Sequence, residues 1–311
     1  LRALHLMTRS FEKALCTMKT YLPDGSQDIE PEDAFALRWA VRASADGAGF
    51  LFLNNYQDHA ETLPKEGEDV TIRLPGGDIA FSGLSLASGE NCALPFNLDM
   101  GGVTLRLAHA QPLKVIETPG GAYAFFFAPE GMRPLYVFPE GTILAPETDG
   151  VQVDGPVARI EGGLEETSLH TTPCFAATQN GRTVRFVTLS RAQSLNFSVL
   201  RYKGREVALL TEGVPLPSED GLRIEHDQPE LSLAVFPDGV LPLGRAASDG
   251  RPSPADSGAD GNLHSAPVPD DVFPLDAAIP DGREGLFTRY QLYKAPLTLS
   301  AAVRQMGPTR Y

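Results

Sequence analysis

Apolar residues recur at helical spacing at the start of the chain. Leu4, Met7, Phe11, Leu15 and Met18 return every three or four positions with charges between them, which predicts an amphipathic helix over 1–19. Pro23-Asp24-Gly25 stops it. A single amphipathic helix cannot bury its own stripe. It must pack on the β structure that follows or on a preceding domain.

After residue 34 the period becomes two. Leu37, Trp39 and Val41 alternate with Arg38, Ala40 and Arg42, the pattern of a half-buried strand. Asp46-Gly47 and the run 49–56 complete a hairpin. Further strands are expected at 70–74, 103–107, 135–138, 184–189, 197–202, 207–210, 231–235, 286–293 and 297–299. The run 123–127 is apolar at every position, so it predicts a central strand covered on both faces. Residues 190–195 interrupt the series as a helical turn capped by Ser190.

Strands and turns spaced in this way predict a mainly β protein built of antiparallel β-sandwich domains, with one N-terminal amphipathic helix. The expected organisation is a helix and connector over 1–33, a first β domain over 34–145 and a second over 146–243. Residues 244–271 are rich in Ala, Ser, Pro, Gly and Asp and read as a linker. Residues 272–311 either begin a further, jelly-roll-like β domain or complete an earlier sheet.

Composition agrees with this pattern. Gly and Pro number 30 and 26 in 311 residues, well above the average for globular chains, which argues against a long-helix bundle. Nine Asp-Gly pairs, at Asp24, Asp46, Asp149, Asp154, Asp220, Asp238, Asp249, Asp260 and Asp281, are expected to be surface turns.

Charge narrows the partners. The formal net charge of −14 repels a phosphate backbone and an anionic membrane, so no nucleic acid is expected as a partner. The longest apolar run, 122–128, is far below the roughly 18 residues that span a bilayer, so no membrane is expected either.

Chemistry is sparse. No dinucleotide, Walker A, zinc-protease or EF-hand motif is present, and no cofactor or metal is expected. Ser85 and Ser88 lack the flanking glycines of a nucleophile elbow. Cys16, Cys92 and Cys174 lie far apart and read as small buried apolar residues. The six histidines show no ligand spacing, and His226-Asp227 has no serine to complete a triad. Glu161, Glu165 and Glu166 sit in a Gly-rich stretch and are expected to be solvated. Trp39, Tyr56, Tyr123, Tyr136 and Phe138 are expected in the core.

Four segments carry a resemblance. They are ALRWAVR at 36–42, GFLFLNNYQ at 49–57, ALPFNLDMGGVTLRLAHAQPL at 93–113 and VTLSRAQSL at 187–195. In this order they resemble the β-rich region that follows the catalytic barrel in bacterial family 35 glycoside hydrolases, the β-galactosidases. The resemblance covers about residues 1–210, including a helix like the last one leaving the barrel. Gln193 departs from it, since an acidic residue is expected there.

The resemblance implies hydrolysis of terminal β-galactosides with retention, by two barrel glutamates about 5–5.5 Å apart. No barrel-like alternation of strands and helices exists in this chain, so no catalytic residue is carried over. The chain, which begins at Leu1, is therefore expected to be a fragment whose barrel partner precedes it in cis. Its compartment is left open, the periplasm and the exterior included. Trp39, Asn54, Asn55, Tyr56, Asn97 and Asp99 are the structural or interdomain candidates. The expected function is that of a non-catalytic β region bracing the barrel and shaping access for β-galactosides. The alternative is a free-standing carbohydrate-binding β-sandwich module.

Overall fold

Phe50 and Phe52 alternate with Leu51 and Leu53, so their strand is apolar on both faces and must lie between two layers. The computed structural model describes residues 2–164, 172–217, 222–226, 230–241 and 275–294. It contains an eight-stranded sheet in the order β1 (Lys19–Tyr21), β2 (Arg38–Ala43), β3 (Gly49–Asn54), β6 (Asn91–Asp99), β7 (Thr104–Ala108), β10 (Leu135–Val137), β13 (Val157–Ile160) and β12 (Val151–Asp154). A second sheet runs β11 (Ile143–Pro146), β14 (Cys174–Gln179), β15 (Arg182–Leu189), β9 (Gly121–Phe127) and β8 (Gln111–Thr118). A third runs β16 (Phe197–Tyr202), β17 (Arg205–Leu210), β20 (Glu230–Phe236), β22 (Phe287–Lys294) and β21 (Leu275–Glu284). Two hairpins, β4 (Lys65–Ile72) with β5 (Ile79–Leu86) and β18 (Val214–Pro217) with β19 (Leu222–Glu225), complete the layers.

Strand alternation distributes the apolar residues into four seams. Phe50 of β3 meets Ala124 and Phe126 of β9 between the first and second sheets. Leu51 and Leu53 face the other way, onto Val70 and Phe81 of the β4–β5 hairpin. Phe125 and Phe127 of β9 leave the first seam and pack with Ala208 and Phe236 of the third sheet. Val207, Leu209 and Leu233 then face Ile224 of β19. The run expected to be central is thus β9, buried between two sheets. The fold is mainly β and sandwich-like. Pairing is antiparallel throughout the described strands except that β15 runs parallel to β9.

Strand pairing crosses the expected boundary at 145/146. β11 spans it, and β12 and β13 from beyond it extend the first sheet. β21 and β22 join β20 in the third sheet. The linker expected at 244–271 and the strand expected at 297–299 lie outside the described residues.

The single helix expected over 1–19 is broken into α1 (Arg2–Ser10) and α2 (Glu12–Thr17), and the chain then enters β1. The break sits at Phe11, with φ −111° and ψ 21°. Ser10 Oγ lies 2.6 Å from Leu6 O and 2.8 Å from Leu113 O, which ties the helix end to β8. The Phe11 ring packs edge-on against Phe50 at 5.5 Å. Met7, Leu15 and Met18 enter the first seam while Leu4 stays 39% exposed, so most of the apolar stripe is covered by the β structure that follows it. α3 (Arg191–Asn196) is the helical turn expected after Ser190. Ser190 Oγ accepts from Gln193 N, and Gln193 Oε1 accepts from Ser190 N. Gln193 therefore closes a capping box, as an acidic residue would at the same position.

Four burial expectations are corrected. Tyr56 is 52% exposed, because the alternation ends with β3 at Asn54. Cys16 is exposed on α2, whereas Cys92 and Cys174 are buried. Tyr123 is half-buried, with Arg185 over one face and Phe236 against its edge. Trp39 is also half-buried, at the border of the second seam, while Tyr136 and Phe138 are core. Of the Asp-Gly pairs, those at Asp24, Asp46, Asp149, Asp154 and Asp238 place glycine at positive φ, as turns demand. Asp281-Gly282 falls inside β21, beside a register shift. Asp220, Asp249 and Asp260 lie outside the described residues.

Candidate functional site

The two asparagines that end β3 do different work. Asn54 closes on its own backbone, donating to Tyr56 O at 3.0 Å and accepting from Tyr56 N at 3.1 Å. Asn55 is 2% exposed and ties three segments together. Its Nδ2 donates to Leu63 O and Ala87 O, each at 2.9 Å. Its carbonyl accepts from Thr62 Oγ1 at 2.6 Å and from Gly89 N at 2.9 Å. The 62–65 segment reaches on to Ala34, whose carbonyl accepts from Lys65 Nζ at 2.5 Å. Burial lowers the Lys65 pKa.

Asn97 and Asp99 also serve backbone. Asn97 adopts a left-handed φ of 49° and donates to Gly47 O at 3.0 Å, bracing the β2–β3 turn. Asp99 Oδ1 accepts from Gly101 N and Gly102 N at 2.9 and 3.0 Å, an aspartate-capped turn. The six candidates therefore do not converge on one point. Trp39 and Asn54 border one groove; Asn55, Tyr56, Asn97 and Asp99 are not among the residues lining it.

That groove has a volume of about 400 Å³. Cross-strand register explains its floor. Arg38 pairs with Asn54 and Asn54 with Asn91; Ala40 pairs with Phe52 and Phe52 with Ala93. These two rows share one sheet face. The small side chains of Ala40 and Ala93 leave space above the sheet. Arg2, Ala3 and Leu4 of α1 form one wall, and Arg191 and Leu195 of α3 another.

Glu90 anchors the α3 wall. It is 5% exposed, and its Oε2 accepts from Arg191 Nε at 2.5 Å. Its Oε1 accepts from Asn91 N at 3.0 Å. The Arg191 guanidinium lies 5.6 Å from the Phe127 ring centroid. Gln111, buried at the start of β8, accepts from Ala93 N at 2.9 Å and fixes the edge of the floor.

Arg2, Arg38, Glu90, Gln111 and Arg191 were not singled out by the sequence. The capping box after Ser190 was a usable signal for Arg191, since it places that residue at the first position of α3. Glu90 offered none, because its partner is 101 residues away.

Elsewhere, burial shifts four titratable groups. It pushes His109 down to about 4 and Cys174 up to about 12, and it raises Cys92 and Tyr136. Such thiols are poor nucleophiles. Glu161, exposed, bonds Gln152 Nε2, while Glu165 and Glu166 lie outside the described residues. Among the described residues no cluster of His, Cys, Asp and Glu is arranged to hold a metal. Also among them, no helix is long and apolar enough to cross a membrane. No family model matches the chain, and a comparison with curated proteins finds no match.

Proposed function

We propose that this chain is the non-catalytic β region of a β-galactosidase-like glycoside hydrolase, bracing a catalytic barrel and shaping access for terminal β-galactosides. The observation that carries this reading is the surface organised by Asn55. The segments it links, directly or through Leu63 and Ala34, expose Phe35 at 76%, Tyr56 at 52% and Leu63 at 46%. Large apolar side chains held outward on a rigid backbone are characteristic of a docking face. The same segment, GFLFLNNYQ, is among those that carry the resemblance.

Two measurements test it. The chain expressed alone is expected not to turn over a chromogenic β-galactoside. Turnover abolished by substitutions within it would overturn the proposal. In the full-length protein, Phe35→Ser with Tyr56→Ser is expected to loosen the barrel, read as faster proteolysis between the two regions. An unchanged cleavage rate counts against bracing.

A second reading, a free-standing carbohydrate-binding module, is favoured by the groove. Its half-buried Phe52 lies one row from Asn54 and Asn91 on the same sheet face, an aromatic ring next to amides. Saturable heat on titration with one class of saccharide supports this reading.

A further inference from the structure

We propose that the groove between α1 and the eight-stranded sheet binds an acidic saccharide, one whose sugar ring carries a carboxylate. The proposal rests on the second reading, a carbohydrate site, and adds the charge of its ligand.

The argument begins with a local reversal of charge. The chain carries −14 overall. The groove, in contrast, is lined by Arg2, Arg38 and Arg191 against the single carboxylate of Glu90. Glu90 is committed to Arg191. Arg2 donates to Leu195 O at 3.1 Å, and Arg38 to Glu30 O and Pro31 O at 2.9 and 3.2 Å. These are backbone carbonyls, which bond the guanidinium without cancelling its charge. Asp33 interacts with Arg38 and offsets part of its charge at a distance, while its Oδ1 accepts from the amides of Phe35 and Ala36 at 2.8 and 2.9 Å. Each guanidinium has five donors in a fork that matches a carboxylate, and the bonds named use one or two.

The remaining walls suit a sugar ring. Ala40, Phe52 and Ala93 make a low-polarity floor, over which an ion pair is stronger than in water. The half-buried ring of Phe52 supplies an aromatic face in that floor, and Asn91 supplies an amide for hydroxyls. The volume of about 400 Å³ falls within the roughly 300–1,000 Å³ of small-molecule sites. A nucleic acid is a poor fit, since Arg2 and a partly offset Arg38 stand against the repulsion of the whole chain.

Isothermal titration of the intact chain with digalacturonate, galactobiose and inorganic sulfate tests the proposal. Digalacturonate is expected to bind at least about tenfold more tightly than galactobiose, and more weakly as salt rises. Arg38→Gln is expected to weaken it about tenfold. Arg38 also braces residues 30 and 31, so Arg2→Gln, whose one bond is solvent-exposed, gives the same test with little risk to folding. Equal binding of galactobiose would overturn the charge proposal and leave the carbohydrate reading standing. Binding of neither saccharide would overturn both. Sulfate binding as tightly as digalacturonate would show a bare anion site and overturn the proposal as well.

Discussion

The Tyr136 hydroxyl lies 2.8 Å from Thr188 Oγ1, and both residues are 0% exposed. The bond joins β10 of the first sheet to β15 of the second, across a seam where the Tyr136 ring also meets Phe126 and Phe175 edge-on at 5.2 Å. Tyr136→Phe keeps the ring and orphans the threonine hydroxyl, so it is expected to cost about 1–2 kcal/mol. Adding Thr188→Val is expected to restore most of that loss, because no buried hydroxyl then remains. Denaturant midpoints of the two single variants and the double variant check this; an additive double variant contradicts it.

Asn55 and Asn54 are adjacent and look alike in sequence, yet their substitutions separate. Asn55→Ala leaves the buried carbonyl of Leu86 and the part-buried carbonyls of Leu63 and Ala87 without this donor and is expected to cost about 2 kcal/mol. Asn54→Ala removes an exposed local turn bond and is expected to stay within about 0.5–1 kcal/mol. Equal shifts in unfolding free energy would show that the three-segment tie carries no weight.

Gly49 begins β3 opposite Ala43 and Phe96. A Cβ there would lie 2.2 Å from Arg42 O and 2.5 Å from the Phe96 ring. Gly49→Ala is expected to destabilise by about 3 kcal/mol, since backbone must move in the middle of a sheet. Gly76 has nothing within 4 Å, and Gly76→Ala is expected to be near neutral. Thermal unfolding of the pair decides between steric and conformational causes.

His109 gives a pH signature. It is 5% exposed, stacks on Phe81 at 5.9 Å between centroids, and is held neutral by burial. Unfolded, it takes its proton near 6.5; folded, only near 4. Between those values the unfolded chain binds more protons. The stabilisation is therefore complete above about pH 6.5 and is lost as the pH falls toward 4, by up to roughly 3 kcal/mol. Glu130, Arg133, Arg159 and Glu161 line the same depression, so the comparison is between proteins. Stability measured at pH 7 and pH 4.5 is expected to fall further in the wild type than in His109→Leu. Equal losses in both would rule out the histidine.

The candidate site was legible only in part. The sequence placed Trp39 and Asn54 on the right hairpin, because two-residue alternation and Asp-Gly turns are local signals. It misjudged Tyr56, which lies past the last residue of β3 and so escapes the alternation that would have turned it inward. It left Arg2, Arg38 and Arg191 unconnected. Those three come from α1, β2 and α3, and sequence spacing does not show that they share a groove.

What the sequence determined by itself was the kind of element and the number of covered faces. Short apolar runs bounded by turns made β3 and β9 strands, and their unbroken apolarity required a layer on each side. Ser190 as a cap made 190–195 a helical turn. What only the tertiary structure decided was which strands meet. β9 lies beside β15, more than 50 residues further along the chain, and β11 crosses the position where a domain boundary was expected. Alternation records that a face is buried and not what buries it. Partner choice depends on how the seams fill as a whole. The groove is the place where Ala40 and Ala93 leave them unfilled.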